Sequence, residues 1–259
     1  MKSVVVTGTE RGVGKAIAKV VLEEGYHLIA TSLNLSALEV MKQEMVTEHG
    51  AKEERIDLIE FNLAEVEQIQ GAIQAIRDKL SGSGHHLHGY VNNAGMYFPT
   101  SGRSSRLLEI EMDDLLEIMK VNLISAFFLA REMFRLLKEG GQGGSLVFIA
   151  SVVSQKGSVT NPVYAMTKAG LANLAKTMAT EGGADNIRAN AISPGVLETQ
   201  MGLALYASKE KLQERMEKNL IKRACTPEEV ARLTAYLLSD YAGYITGQNL
   251  DLSGGSLIK

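Results

Sequence analysis

A chain of 259 residues is long enough for one large α/β domain or two small ones, and its 45% hydrophobic content supplies a sizeable core. A net charge of −3 argues against nucleic acid or an anionic membrane surface as partner. The single cysteine, Cys225, excludes an intrachain disulfide; with no secretory leader and no spanning apolar stretch, the expectation is a soluble, cytoplasmic protein.

Ser3–Val6 is a β-branched run that predicts a buried strand, and Lys15–Glu24 has a helical pattern. Between them lies Thr7-Gly8-Thr9-Glu10-Arg11-Gly12-Val13-Gly14. Strand, glycine-rich turn and helix together present backbone N–H groups and a helix N-terminus to a phosphate. Gly8 lets the chain turn, Gly12 admits a ligand and Gly14 permits close helix–strand packing. The spacing is G-x-x-x-G-x-G, and a plain strand-to-helix turn would look similar in isolation.

The second strand, His27–Thr31, runs into Ser32-Leu33-Asn34. An acidic residue at its end would accept the ribose hydroxyls of an adenosine, and an arginine would receive a 2′-phosphate. Ser32 is neither, and Arg11 can supply the positive charge, so the pattern leans toward NADP(H) without excluding NAD(H). A helix over 36–49 precedes the strand Arg55–Phe61, after which Asn62 and Leu63 are placed to meet an adenine edge and face. Asn62 would also cap a helix over Ala64–Leu80. His85, His86 and His88 fall in what reads as a solvated turn at 81–89, without the cysteine partners of a structural zinc site, and no metal site is expected.

The fourth strand, Leu87–Val91, ends in Asn92-Asn93-Ala94-Gly95, small residues that let the backbone approach a flat ring. An irregular insertion over 96–111 follows and reads as a pocket wall, then a helix over 112–139. Asn122 interrupts the apolar face of that helix, either as a satisfied core amide or as a local break that holds a water. A buried strand, Leu146–Ala150, ends at Ser151. Tyr164 and Lys168 stand one turn apart on the next helix, so they share a face that the strand end can meet. A sixth strand over Asn186–Ile192 ends in Ser193-Pro194-Gly195-Val196, and Thr199 follows, leaving polar groups able to hold an amide. The charge-rich, helical 197–222 stretch reads as a lid; Thr226-Pro227-Glu228-Glu229 is a helix start, and Leu250–Leu252 a final strand.

Strands and helices alternating with a single site region at the strand ends predict an α/β, doubly wound parallel sheet in one Rossmann-like domain spanning 1–259. The motifs, in order, resemble those of the short-chain dehydrogenase/reductase family in its compact form, especially the ketoreductases of fatty-acid synthesis. The family's T-G-x-x-x-G-x-G is similar to Thr7–Gly14, its N-N-A-G to Asn92–Gly95 and its P-G turn to Pro194-Gly195. The resemblance implies a catalytic set of Asn122, Ser151, Tyr164 and Lys168. It implies cofactor contacts at Gly8, Glu10, Arg11, Gly12, Val13, Gly14, Ser32, Leu33, Asn62 and Leu63. Further cofactor contacts would come from Asn93, Ala94, Gly95, Tyr164, Lys168, Pro194, Gly195, Val196 and Thr199, with Met96, Ser151, Val153 and Tyr164 meeting substrate.

The implied reaction is hydride transfer between nicotinamide and a small-molecule carbonyl or secondary alcohol, with Tyr164 as general acid toward a ketone. Working at neutral pH would require the phenolate to be favoured by about 4 kcal/mol, for which Lys168 and an oxidised nicotinamide are the available charges. The alternatives are an NAD-dependent alcohol or sugar dehydrogenase working oxidatively, and a nucleotide-binding sensor or scaffold without turnover. Relatives in this family are homo-oligomers, so a tetramer or dimer is expected. Lys138-Glu139-Gly140 and Glu181–Asp185 are not basic, which argues against an acyl carrier protein partner.

Overall fold

A computed structural model describes residues 1–259 apart from Met201, Leu203, Ala204, Ala207 and Lys259. Seven parallel strands are ordered β3-β2-β1-β4-β5-β6-β7. They are β1 (Lys2–Thr7), β2 (His27–Ser32), β3 (Ile56–Glu60), β4 (His86–Asn92), β5 (Gly144–Ile149), β6 (Ile187–Pro194) and β7 (Asn249–Leu252). Both faces are covered, so strand residues alternate between two apolar layers, as a parallel sheet requires. Val4, Val6, Val147 and Ile149 pack with helices α1 (Gly12–Glu23) and α2 (Leu35–Thr47). Val5, Tyr90, Leu146 and Phe148 pack on the other face with α3 (Ile69–Ser83).

Five further helices follow in the described residues: α4 (Met112–Met119), α5 (Ser125–Gly140), α6 (Pro162–Gly182), α7 (Lys209–Met216) and α8 (Pro227–Leu238). The expected single helix over 112–139 is divided by a π segment, Lys120–Ile124, that contains Asn122. The break foreseen at that residue is therefore present. The strand order reverses between β1 and β4, which opens a crevice at the carboxyl ends of the strands.

Three local expectations are corrected. Asn62 does not cap the third helix; its Oδ1 accepts from the Ala64 amide at 3.0 Å and its amide donates to Glu65, while α3 starts at Ile69 after a short 3-10 turn. The histidines are not in a solvated turn, because α3 extends to Ser83 and β4 begins at His86. His88 is buried, bonded through Nε2 to the Leu238 carbonyl, and His85 packs edge-on to His27. In the 197–222 stretch, α7 is a shorter helix than the pattern suggested, and Met201, Leu203, Ala204 and Ala207 lie outside the described residues. The capping box at Thr226 and Glu229 forms as read. Among the described residues no helix is long and apolar enough to cross a membrane.

Candidate active site

The glycine turn is built by contacts that exclude side chains. A Cβ on Gly14 would lie 1.7 Å from the Gly8 carbonyl oxygen, and Gly8 and Gly12 have φ of +70° and +56°. Asn93 clamps the turn from the next strand, its Nδ2 donating to the Thr7 and Gly8 carbonyls at 3.0 Å each. Thr7 Oγ1 accepts from the Asn93 and Ala94 amides, also at 3.0 Å. The helix behind this turn receives no side-chain cap from Arg11, so its first amides carry no side-chain acceptor. Thr9 Oγ1 is buried without a hydrogen-bond partner among the described residues. A side-chain-free cradle, uncapped helix amides and an orphaned hydroxyl together fit a dinucleotide pyrophosphate.

Other expected cofactor residues gather around this cradle. A Cβ on Gly12 would lie 3.6 Å from Thr199 Cγ2, so the segment after the Pro194-Gly195 turn reaches the glycine loop. Gly195 itself packs against Ser253, and its amide donates to the Leu252 carbonyl. Ser32 is buried, whereas Leu33 and Arg11 are exposed, with Arg11 Nε 3.8 Å from Glu10. Glu60 is a carboxylate the sequence reading missed. It stands in register with Ser32 and accepts from the Leu35 amide at 2.9 Å.

The chemical groups meet next to this cradle. A Cβ on Gly95 would be 3.2 Å from Asn122 Oδ1 and 3.4 Å from Lys168 Nζ, which places three of the expected residues in one contact. Asn122 is fully buried; its Oδ1 accepts from the Met96 amide at 2.8 Å and its Nδ2 donates to the Met96 carbonyl at 2.8 Å. Its remaining amide proton reaches Thr167 Oγ1 at 3.3 Å. That side chain is thus fully committed to holding the start of the 96–111 segment.

Tyr164 and Lys168 share a face of α6, with Lys168 Nζ 5.6 Å from the Tyr164 ring centroid. Lys168 is buried, and its ammonium donates to the Ile149 carbonyl at 2.7 Å. Burial lowers its pKa to about 8. Burial also pushes the Tyr164 phenol well above the usual tyrosine range, a hydrogen bond with Ser151 opposes that rise, and the Tyr97 phenol adds to it. Desolvation is the largest influence on both groups.

Two residues of the site were not foreseen. Tyr97 tilts its ring over Tyr164 with centroids 4.7 Å apart, and its hydroxyl pairs with Thr160 Oγ1 at 3.0 Å. Asn161 is fully buried and caps α6, its Oδ1 accepting from the Tyr164 amide at 3.0 Å. Its Nδ2 donates to the Tyr97 carbonyl. The Asn161-Pro162 dipeptide was a legible start signal for this helix, N-cap followed by N1 proline. Tyr97 falls in the 96–111 stretch read as a pocket wall, but its contact with Tyr164 had no local signal. A cavity of about 610 Å³ lined by Lys2, His88, Arg188 and Asp240 among others lies at the opposite end of the strands and takes no part in this arrangement.

The family model described as enoyl-(acyl carrier protein) reductase matches residues 8–256. The 3-oxoacyl-[acyl-carrier-protein] reductase of Aquifex aeolicus is 34% identical over 96% of this chain and 95% of its own length. The 3beta-hydroxysteroid dehydrogenase 2 of Eggerthella lenta is 31% identical over 98% of this chain and 94% of its own. Among solved structures, one described as a gluconate dehydrogenase from Agrobacterium tumefaciens superposes with a TM-score of 0.89 at 28% identity, covering 100% of this chain and 96% of the other. An NAD(P)-dependent gluconate 5-dehydrogenase structure from Beutenbergia cavernae, with bound NADP, gives 0.88 at 27% identity and covers 100% and 97% of the two chains. With a glycine cradle and a hydroxyl, a phenol and a lysine beside it, these near-full-length matches place the chain in the short-chain dehydrogenase/reductase family, as an NAD(P)-dependent oxidoreductase of carbonyl and alcohol carbons.

Proposed function

We propose that the protein reduces a ketone, with Tyr164 as general acid, Ser151 as the donor that fixes the substrate oxygen, and Lys168 and Asn122 as its support. The observation that carries this reading is geometric: Tyr164 and Lys168 share a face of α6, Ser151 is hydrogen-bonded to the phenol, and Asn122 and Lys168 both meet Gly95 at the edge of the glycine cradle. A protonated phenol beside a hydroxyl can donate to an oxygen on which negative charge develops. A bound nicotinamide supplies the hydride. Gly8 to Gly14, Asn93 to Gly95 and Pro194 to Thr199 would hold it, with Asn62 and Leu63 toward the adenine.

As the substrate oxygen gains charge, Ser151 shares its hydrogen bond with that oxygen, and Tyr164 gives up its proton. The phenolate left behind is then stabilised by Ser151 and by the charge of Lys168. Asn122 acts through Met96: by fixing that backbone it sets the wall against which the substrate lies, together with Val153. A water bound near the π segment would supply the replacement proton to Tyr164.

The cofactor preference we propose is NADP(H), through Arg11 and the absence of a carboxylate at Ser32; the nearby Glu60 is engaged by the Leu35 amide. The substrate is a free small molecule. Lys138, near the end of α5, is paired to Asp185 at 2.9 Å, which offsets its charge toward an acidic carrier. Exposed Met112, Leu116, Phe127 and Met166 on α4, α5 and α6 support a homo-oligomer, a dimer or tetramer. An oxidative sugar or alcohol dehydrogenase is the second reading, favoured by the names of the two gluconate dehydrogenase structures.

The test combines Tyr164→Phe with both cofactors over a panel of ketones and alcohols. Cofactor should bind the variant with wild-type affinity while turnover falls by at least a thousandfold. Turnover near wild type would remove Tyr164 from the proton-donor role, and a clear preference for NADH would overturn the Arg11 argument.

A further inference from the structure

The amino-terminal ends of four neighbouring strands open on the cavity of about 610 Å³, at the end of the sheet away from Tyr164. Lys2 is the first residue of β1, His86 of β4 and Gly144 of β5, and Arg188 is the second of β6. Parallel strands all start on one side, so residues far apart in sequence reach one rim. The connections after α5, α6 and α8 add Gln142, Asn186, Asp240 and Thr246.

The charges around this cavity do not balance. Two cations, Lys2 and Arg188, stand against one carboxylate, Asp240. Asp240 is largely exposed and is paired to Lys2 at 3.1 Å. Its charge also acts on Arg188, but from beyond ion-pair distance. Burial holds the imidazoles of His86 and His88 below their usual range, so both are neutral at pH 7. His88 is already engaged: its Nε2 meets the Leu238 carbonyl at 2.9 Å and its ring stacks on Tyr26, with centroids 5.3 Å apart.

Arg188 is the group left incomplete. Its side chain is half-buried, and Nη2 donates to the Ser239 carbonyl just past α8 at 3.0 Å. Nη1 is buried as well, yet it has no hydrogen-bond partner among the described residues. A charged donor taken out of water without an acceptor destabilises the fold, and a native protein rarely leaves one so.

We propose that this cavity is a second ligand site, taking a small polar molecule whose oxyanion, a phosphate or a carboxylate, is received by Arg188. Nη1 offers two N–H donors to that anion. Thr246 Oγ1 accepts from the Ala189 amide at 3.1 Å and keeps its own proton to donate. The side-chain amides of Gln142 and Asn186 line further space, suited to hydroxyl groups. The volume exceeds what a free ion needs and lies in the range of small-molecule sites, so the anion is carried on a larger body. No residue of the active site lines the cavity, and the proposal stands or falls separately from ketone reduction.

Calorimetric titration of the NADPH-saturated enzyme tests it, because the cofactor then fills the pyrophosphate cradle. The probes are glycerol 3-phosphate, glycerate and glycerol, which share a polyol body and differ in the anion. One or both anions should bind, with glycerol at least tenfold weaker. Arg188→Gln should weaken anion binding at least tenfold, and Arg188→Lys, which keeps the charge and loses the planar donor pair, severalfold. Gln142→Glu adds a carboxylate to the lining at an exposed turn and should also weaken the anions severalfold, whereas Lys209→Gln on α7, outside the cavity, should change nothing. Tighter binding of glycerol 3-phosphate assigns a phosphate, and tighter binding of glycerate a carboxylate.

Glycerol bound as tightly as the anions, no binding of either anion at millimolar concentration, or unaltered affinity in Arg188→Gln overturns the proposal. Should circular dichroism show that Arg188→Gln does not fold, Gln142→Glu decides, and unaltered anion affinity there is the refuting result. Ketone turnover, measured separately on the wild-type enzyme, is unaffected by any of these outcomes.

Discussion

Asn161→Ala is the most informative single change, because this side chain performs two jobs at the helix that carries Tyr164. Its Oδ1 caps α6 through the Tyr164 amide at 3.0 Å, and its Nδ2 holds the Tyr97 carbonyl. Losing an N-cap costs about 1 kcal/mol. Leaving a carbonyl without its partner in a fully buried setting costs about 1 kcal/mol more. A total of about 2 kcal/mol corresponds to a fall in melting temperature of about 4–8 °C for a chain of this size. Calorimetry or circular dichroism reads that fall directly.

Turnover should drop further than stability alone accounts for. The capped amide belongs to Tyr164 itself, and displacing a reacting group by about 1 Å costs on the order of a hundredfold. Asn161→Asp separates the two jobs, since the carboxylate keeps the cap acceptor and loses the donor to Tyr97. It should recover about half the melting temperature while kcat stays low, because an anion now opposes the Tyr97 carbonyl. An alanine variant with wild-type melting and wild-type kcat would refute the coupling of cap, loop and proton donor.

Two further outcomes follow from the geometry. Gly14→Ala places a Cβ 1.7 Å from a backbone oxygen that cannot yield cheaply, so NADPH affinity by fluorescence titration should fall at least a hundredfold; unchanged affinity would refute the cradle. Lys168 has a folded pKa of about 8 against an ordinary 10.5, so between these values the native state binds fewer protons than the unfolded chain and stability rises with pH. That rise amounts to about 3 kcal/mol and should be absent from Lys168→Met in matched denaturation series at pH 7 and pH 10.5. Parallel pH dependence of the two proteins would contradict the burial argument.

Much of this site could be read from the chain because its signals are short-range. The glycine turn, the Asn-Asn-Ala-Gly strand end and the one-turn spacing of Tyr164 and Lys168 each lie within a few residues. A buried asparagine inside an apolar helix face marked a break, and the break is there. What the pattern could not supply was the partner: Asn122 is spoken for by Met96, 26 residues earlier. Tyr97 on Tyr164 is likewise a contact between segments far apart in sequence, and no periodicity encodes it. The histidines were misplaced for a different reason. Where a helix ends and a strand starts within a few polar residues, Gly84 at φ +65° fixes the boundary, and the strand begins at His86.

The electrostatics of the core pair bear on the protonation of the free enzyme. Burial opposes charge on both members, so the phenol of Tyr164 is held as an acid and the ammonium of Lys168 is weakened. A ketone reductase needs the phenol to keep its proton until the substrate oxygen becomes basic, which is the state burial enforces. Tyr97 acts in the same sense as burial, since its phenol opposes ionisation of Tyr164. The same side chain that shapes the substrate wall therefore also tunes the acid, and both effects depend on Asn161 holding its backbone in place.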